Sequence, residues 1–366
     1  MTTTAYAKEL EIAQLAVQRA AILTKRVFHE KAKGTVSKDD KSPVTIGDFG
    51  AQALIIAALR ASFPGDAIVA EEEAAQLRRE PQLRETVWGF VQRARLSDGA
   101  SEAALGGPIA SADAMLDLVD EGGSAGGGVG RIWTIDPIDG TKGFLRGGQY
   151  AVCVGLLVDG VVQVGVLGCP NLPVDDAAPL AADIGANHQT DADGRHGVLF
   201  AAVAGAGAFS RPLTDGLLAS ARPITMHAIE NSEAGLAAAS FCESVEAGHS
   251  NQDGAAAIAA RLGITRPSVR MDSQAKYGSI ARGAGDIYLR LPVSATYQEK
   301  IWDHAAGDLI VREAGGCVTD TLGRPLDFSR GRTLAENKGV VAAPKAIHAR
   351  VLAAVQAVLV IAAGQK

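Results

Sequence analysis

The chain has only four cysteines, Cys153, Cys169, Cys242 and Cys317, all far apart and with no C-x-x-C pair. That excludes a zinc ribbon and a disulfide framework, and leaves reduced, mostly buried thiols of a cytoplasmic protein. Basic charge is also scarce. The formal net charge is -6, whereas a protein that grips nucleic-acid backbones presents a net basic face. No nucleic-acid partner is expected, and an anionic substrate must be held locally, by a few basic groups or by cations. No apolar run is long enough to span a bilayer: the most apolar tail, Val351 to Ala363, is too short and reads as a core-facing terminal helix. Met1 to Lys8 lacks an apolar segment and a cleavage site, so it does not look secretory, and no membrane partner is expected. The glycine-rich run Gly122 to Gly128 lacks the Gly-Lys-Ser/Thr ending of a phosphate-cradling P-loop and reads as a flexible loop spanning 106–130.

Against these absences stand 366 residues of which 47% are hydrophobic, enough for a full core and above the size at which one core usually divides. Two closely packed subdomains are expected, 1–195 and 196–366. Apolar residues at helical spacing (Leu10, Ala13, Val17, Ala20, Leu23, Val27) predict one long helix from Tyr6 to Ala32. A second helix is expected from Gly47 to Ser62, stopped by Pro64-Gly65. Ala67 to Ala70 reads as a strand delivering Glu71, Glu72 and Glu73 at its end, and Asp159-Gly160 joins strands 151–158 and 161–167 as a two-residue hairpin. Residues 171–197 look like an exposed excursion. In the second half, apolar runs at 198–204, 236–241, 287–291 and 340–343 alternate with helical stretches near 255–262, 275–283 and 303–314, the pattern of a layered α/β arrangement.

The segment Asp136-Pro137-Ile138-Asp139-Gly140-Thr141 carries the chemistry. Two acids three apart follow a β-rich run, and Pro137 is expected to stop the strand so that both carboxylates face one point. Gly140 permits a tight turn, and Thr141 brings a hydroxyl to the same place. Converging aspartates repel and are costly to desolvate, so a hard divalent cation is their natural compensation. Alone, the motif would read better as an Asx-type turn that happens to carry two acids. It is joined by Glu71 and Glu72 at another strand end, by Asp48 near a helix start, and by Asp303 at the opening of a helix that it could cap.

Taken together, Gly47-Asp48, Ala70-Glu71-Glu72, Asp136 to Thr141 and Trp302-Asp303-His304-Ala305-Ala306-Gly307 resemble the lithium-sensitive, magnesium-dependent phosphatases of the inositol monophosphatase superfamily, in residue type, order and spacing. The resemblance implies an α+β fold, the layered αβαβα sandwich of that superfamily. It also implies two or three Mg2+ ions, inhibition by Li+ and Na+, and side-chain metal ligands Glu71, Asp136, Asp139 and Asp303. Ile138 would add its backbone carbonyl. Thr141 and Asp48 resemble the pair that orients and deprotonates the attacking water, and Glu72 stands beside a ligand as a supporting acid. No covalent phosphoenzyme is implied, and the D-x-D-x-T/V signature of aspartyl-phosphate enzymes is absent near a first strand.

Within the superfamily the chain is most similar to the 3′(2′),5′-bisphosphate nucleotidases. The likeness rests on Ser37 to Thr45, Phe241 to Ser250, Met271 to Tyr277, and Tyr288 through Trp302. It implies removal of the 3′-phosphate of 3′-phosphoadenosine 5′-phosphate, with the 5′-phosphosulfate analogue as a further substrate, by a monomer acting in sulfur assimilation. Substrate contacts are expected from Thr141, His249, Ser273, Lys276, Arg290 and Asp303, since a bisphosphate needs a second anion site. An inositol phosphate 1-phosphatase is the same-class alternative, and a non-catalytic nucleotide or metal sensor the different-class one.

Overall fold

The computed structural model describes residues 5–30, 35–37, 43–176, 195–245, 252–292, 294 and 296–364. The first half runs α1 (Ala7–His29), β1 (Thr35–Ser37), β2 (Pro43–Thr45), α2 (Ile46–Ser62), β3 (Ala67–Ala70), α3 (Ala75–Arg79), α4 (Pro81–Arg93), α5 (Gly99–Ala104), α6 (Ala112–Asp120), β4 (Arg131–Asp139), α7 (Thr141–Arg146), β5 (Ala151–Val158) and β6 (Val161–Pro173). The second half continues β7 (His196–Val203), β8 (Gly207–Pro212), β9 (Arg222–Pro223), α8 (Glu233–Ala237), β10 (Phe241–Glu243), α9 (Gln252–Leu262), β11 (Val269–Arg270), α10 (Ala275–Ala281), β12 (Ile287–Arg290), α11 (Ala305–Glu313), β13 (Gly316–Thr319), β14 (Val340–Pro344) and α12 (His348–Gly364).

β3 to β9 form one seven-stranded sheet in chain order, and β11, β10, β12, β14 and β13 form a five-stranded one. The apolar stripes of α1 and α2 cover one face of the large sheet, burying Ala13, Ala20, Leu59 and Ile55 against Ile135, Val154 and Val166. α10 and α11 fill the space between the sheets, with Tyr277, Ala306 and Leu309 in one cluster with Phe200 and Tyr288. α9 and α12 close the far face of the small sheet through Ile258, Val351 and Val355. The order helix, sheet, helix, sheet, helix is the expected αβαβα sandwich. Because β7 to β9 extend the large sheet, that sheet runs across residue 195, where the two subdomains were expected to divide.

Several local expectations change. The 106–130 stretch is not a loop throughout: it holds α6, which Ser111 caps by accepting from Ala114 N and which buries Met115, Leu116 and Val119. The apolar run 236–241 is not one strand, because Ser232 caps the short helix α8 through Gly235 N and only Phe241 onward joins the sheet. Pro137 does not end β4. The strand continues to Asp139 with a bulge, Asp136 facing Cys153 and Asp139 facing Ala151, and the missing N–H of proline is tolerated there. The hairpin at Asp159-Gly160 is as expected, both residues lying at positive φ (50° and 78°). Cys153, Cys169 and Cys242 are buried, Cys317 is half-buried, and all four are free thiols. Most of the 171–197 excursion and the 246–251 stretch with His249 lie outside the described residues. Among the described residues, no helix is long and apolar enough to cross a membrane.

Candidate active site

β3 and β4 run parallel with Ala70 opposite Ile135, so the next residue of each strand, Glu71 and Asp136, emerges side by side at one sheet edge. The β4 bulge then turns Asp139 toward the same edge. Gly140 follows at φ 86°, where a Cβ would also lie 3.0 Å from that of Ser273, so this turn requires glycine on both counts. From the other half, a 3-10 turn at Ile301–Asp303 presents Asp303. Glu71, Asp136, Ile138, Asp139, Thr141 and Asp303 all line a single cavity of about 390 Å³, together with Ser273, Lys276 and Arg290.

Burial, followed by the charges of Glu71, Asp139, Asp303 and Asp48, pushes the Asp136 carboxyl well above the usual carboxylate range. Burial and then Asp139 do the same to Asp303. Asp139 is raised by burial against the pull of Lys276, of the Gln274 N–H and of Arg290. A wall of mutually repelling acids with raised pKa values fits a hard divalent cation. Ile138 is fully buried, and its carbonyl accepts from Thr141 Oγ1 at 3.2 Å.

Asp48 is also fully buried, but as the third residue of a capping box. Its Oδ2 accepts from Thr45 N at 2.8 Å and Thr45 Oγ1 at 2.5 Å. The structure joins Asp48 to Thr45. Glu72 is buried behind the strand end, its backbone held in both directions by the Gln52 amide (2.9 and 2.8 Å). Asp303 does not cap α11, whose N-cap position is His304; its carboxylate lines the cavity instead.

The rest of the lining is cationic and aromatic. Arg290 Nε donates to Glu299 Oε1 at 2.9 Å, Glu299 Oε2 lies 3.4 Å from His304 Nε2, and His304 Nδ1 is 2.8 Å from the Tyr277 hydroxyl. Burial alone would raise Glu299, but His304 and Arg290 overcome it and hold the carboxyl at about 2. Glu299, Asp303 and His304 offer ligand atoms within 4.8 Å of one another, yet Arg290 already supplies the cation at Glu299, so Glu299 reads as the partner of Arg290 and His304, and Asp303 as a member of the acid cluster. Lys276 is buried, its Nζ donating to Met271 O at 3.3 Å and lying 5.3 Å from the Tyr288 ring centroid. Burial lowers its pKa, against Asp139 and Asp272.

Sequence reasoning named Gln274, Glu299 and His304 within its motifs but gave them no role, and it missed Arg332. Gln274 N donates to Asp139 Oδ2 at 2.5 Å, while its side chain spans Trp302 O (2.7 Å) and Gly307 N (3.0 Å). One residue thus ties a β4 acid to the turn carrying Asp303. Glu299 sits four positions before Asp303 in a run of charged and aromatic residues, a signal that was readable. Arg332 had none, since the carbonyls to which its side chain donates lie more than two hundred residues away.

A family model described as the inositol monophosphatase family matches residues 5–359. A 3′(2′),5′-bisphosphate nucleotidase of Emericella nidulans is 65% identical over 354 residues, covering 97% of this chain and 99% of its own. Another of that description, from Schizosaccharomyces pombe, is 47% identical over 96% of this chain and 95% of its own. Among solved structures, an IMPase of Thermotoga maritima superposes with a TM-score of 0.58 at 20% identity, covering 96% of this chain and 98% of its own. Mycobacterium tuberculosis SuhB gives 0.55 at 21%, covering 96% and 97%. These two likenesses bear on the fold. The family implies metal-dependent catalysis, in keeping with the acid wall. Motif order, sandwich architecture and full-length sequence similarity coincide, and the chain belongs to the inositol monophosphatase family.

Proposed function

We propose that the chain is a magnesium-dependent 3′(2′),5′-bisphosphate nucleotidase that converts 3′-phosphoadenosine 5′-phosphate to AMP and phosphate, and acts on the phosphosulfate analogue. The observation that carries this reading is one cavity lined by two unlike sets of residues: the acids Glu71, Asp136, Asp139 and Asp303, and beside them Lys276, Tyr288 and Arg290. The near-full-length identity to proteins described as nucleotidases supports the choice of substrate.

Glu71, Asp136, Asp139, Asp303 and the Ile138 carbonyl are the groups that would hold Mg2+, as two or three ions. Bound there, magnesium supplies the positive charge that phosphoryl transfer needs and makes a water more acidic. The chain's own part is positioning. Thr141 Oγ, fixed by its bond to Ile138 O, retains lone pairs to accept from the attacking water. Asp48 adds negative charge from behind Asp136 and completes the water-orienting set with Thr141. Glu72 backs the strand end.

Arg290, with Nε committed to Glu299, offers its remaining N–H groups to the 5′-phosphate. Lys276 adds charge beside the Tyr288 ring, and Ser273 a hydroxyl at the Gly140 turn. His249 belongs to the same substrate set by resemblance. Binding energy from the nucleoside and 5′-phosphate then positions the 3′-phosphate for displacement. The protein acts as a cytoplasmic monomer in sulfur assimilation, with lithium and sodium as inhibitors.

Phosphate release from a panel of bisphosphonucleotides and inositol phosphates tests this. The expected result is a much higher kcat/KM for 3′-phosphoadenosine 5′-phosphate than for inositol 1-phosphate, activity lost in chelator, restored by magnesium and inhibited by lithium. Preference for inositol phosphates would favour the 1-phosphatase reading. Binding without turnover of any substrate would favour a sensor.

A further inference from the structure

The glycine-rich run and Arg332 take no part in the chemistry above, yet they meet at the seam of the site. Arg332 Nη2 donates to Ala70 O at 2.7 Å, while Nη1 donates to Gly122 O at 3.1 Å and Ser124 O at 3.0 Å. Ala70 immediately precedes Glu71. The same guanidinium lies 4.8 Å from the Trp302 ring centroid, and Trp302 immediately precedes Asp303. The Arg332 segment is also bonded along its backbone to the Asp303 turn: Ile301 N to Arg332 O at 3.2 Å, Leu334 N to Glu299 O at 2.8 Å, and a bridge between Lys300 and Thr333.

One side chain therefore spans the strand end carrying Glu71 and the turn carrying Asp303. It reaches there because the glycines have no side chains. A Cβ on Gly126 would stand 2.9 Å from the Gly331 backbone, and one on Gly128 would stand 3.1 Å from Ser329 Cβ. Gly126 also sits at φ 71° and Gly127 at φ 135°, which disfavours any other residue.

We propose that Arg332 is a positioning residue that fixes the spacing between the Glu71 and Asp303 halves of the acid wall, and that the glycine-rich run is the seat that lets it do so. The fork geometry matters. A planar guanidinium can hold three carbonyls and stack on an indole at once, whereas an ammonium is a point charge that cannot do both. The inference rests on the reading of that wall as the magnesium site, and its consequence is a change in magnesium affinity.

The test is calorimetric titration of Mg2+ into the full-length wild type, R332A, R332K and D136N, with kcat and KM measured at saturating magnesium. R332A is expected to weaken magnesium binding by about 10–100-fold, the range found when groups that orient metal ligands are removed. Excess magnesium should restore kcat with little change in the nucleotide KM, and R332K should fall between. Magnesium affinity in R332A indistinguishable from wild type overturns the proposal even if the protein is less stable. So does a raised KM at unchanged magnesium affinity, since Arg332 would then be touching substrate. Should R332A not fold, R332K decides alone: weakened binding supports the proposal and wild-type binding ends it. If the wild type itself binds no magnesium, the metal reading falls with it; if D136N loses magnesium while R332A keeps it, only the role of Arg332 is refuted.

Discussion

The two walls of the cavity bury charge in opposite ways. Asp136, Asp139 and Asp303 crowd acids together, and their carboxyls are pushed up by burial and by each other. Glu299, as deeply set a few ångströms away, is pulled down to about 2 because His304 and Arg290 are built in beside it. Both kinds of carboxylate are expensive to desolvate; what separates them is whether the protein supplies the counter-charge or leaves that to a ligand. The paired wall keeps its shape without help. The acid wall is held in place by backbone and by neighbours such as Gln274, and its electrostatics are complete only when a cation arrives.

The most severe break in this contrast is Asp136→Asn. Turnover at saturating magnesium should fall by about 10²–10³-fold or more, comparable to removing one group that stabilises a transition state. Without magnesium the variant should melt no lower than wild type, and higher near neutral pH. The sign follows from the raised carboxyl. The folded state binds its proton more tightly than the unfolded chain, so the magnesium-free fold loses stability as pH rises from the unfolded pKa through the folded one, and Asn removes that loss. Wild-type turnover would remove Asp136 from the ligand set.

Glu299→Ala attacks the paired wall instead, and should cost about 3 kcal/mol of unfolding free energy in denaturant titration, because Arg290 is left buried and unpaired. Here the pH dependence reverses. Glu299 is depressed in the fold, so its contribution is fully present above the unfolded carboxylate pKa and is lost as pH falls toward about 2. Wild type should therefore lose stability in acid that the variant does not have to lose. Equal acid sensitivity in both would mean that Glu299 is not the group being titrated.

Lys276→Ala sharpens the division of labour between the walls. The ratio of kcat/KM for 3′-phosphoadenosine 5′-phosphate over inositol 1-phosphate should drop by about tenfold, roughly 1.4 kcal/mol, whereas Asp303→Ala should damage both reactions alike. The ratio cancels any general loss of folded enzyme. An unchanged ratio would take Lys276 out of nucleotide selection. The smallest effect belongs to Tyr277→Phe, which removes the hydroxyl 2.8 Å from His304 Nδ1. About 1 kcal/mol of stability should be lost, with the substrate ratio unaltered.

How much of this could be read in advance divides along the same line. The acid wall was legible because Glu71 follows a short apolar run, Asp303 comes just before a helix, and Asp136 to Thr141 is contiguous. The hairpin at Asp159-Gly160 was legible because positive φ at both positions demands such residues. α6 was hidden by the glycines on both sides of it, although Ser111 and the apolar spacing of Met115, Leu116 and Val119 were there to be seen. α8 was hidden because alanine-rich runs such as 236–239 suit helix or strand, and a serine cap decided it. That Asp48 also closes a capping box with Thr45 is a local arrangement that family likeness does not reveal. Lys276 and Arg290 were visible as charges, while the aromatic and carboxylate surroundings that hold them exist only once β12 and α10 have packed. Arg332 had no local signature at all, since its role depends on a seat made of glycines far upstream.

The separation of 262 residues between Ala70 and Arg332 also sets a timetable for synthesis. Strands β3 to β9 lie in chain order between residues 67 and 223, so Glu71, Asp136 and Asp139 can assemble on the large sheet while the ribosome is still working. Asp303 and the arginine that joins its turn to β3 are made later. At about 5–20 residues per second, the interval from residue 223 to residue 332 is roughly 5–20 s. For that time the nascent chain carries three acids of an unfinished cluster, and a ribosome stalled before residue 303 displays the large sheet without the Asp303 that completes it. The acid cluster that lines the cavity is thus complete only when nearly the whole chain has been made.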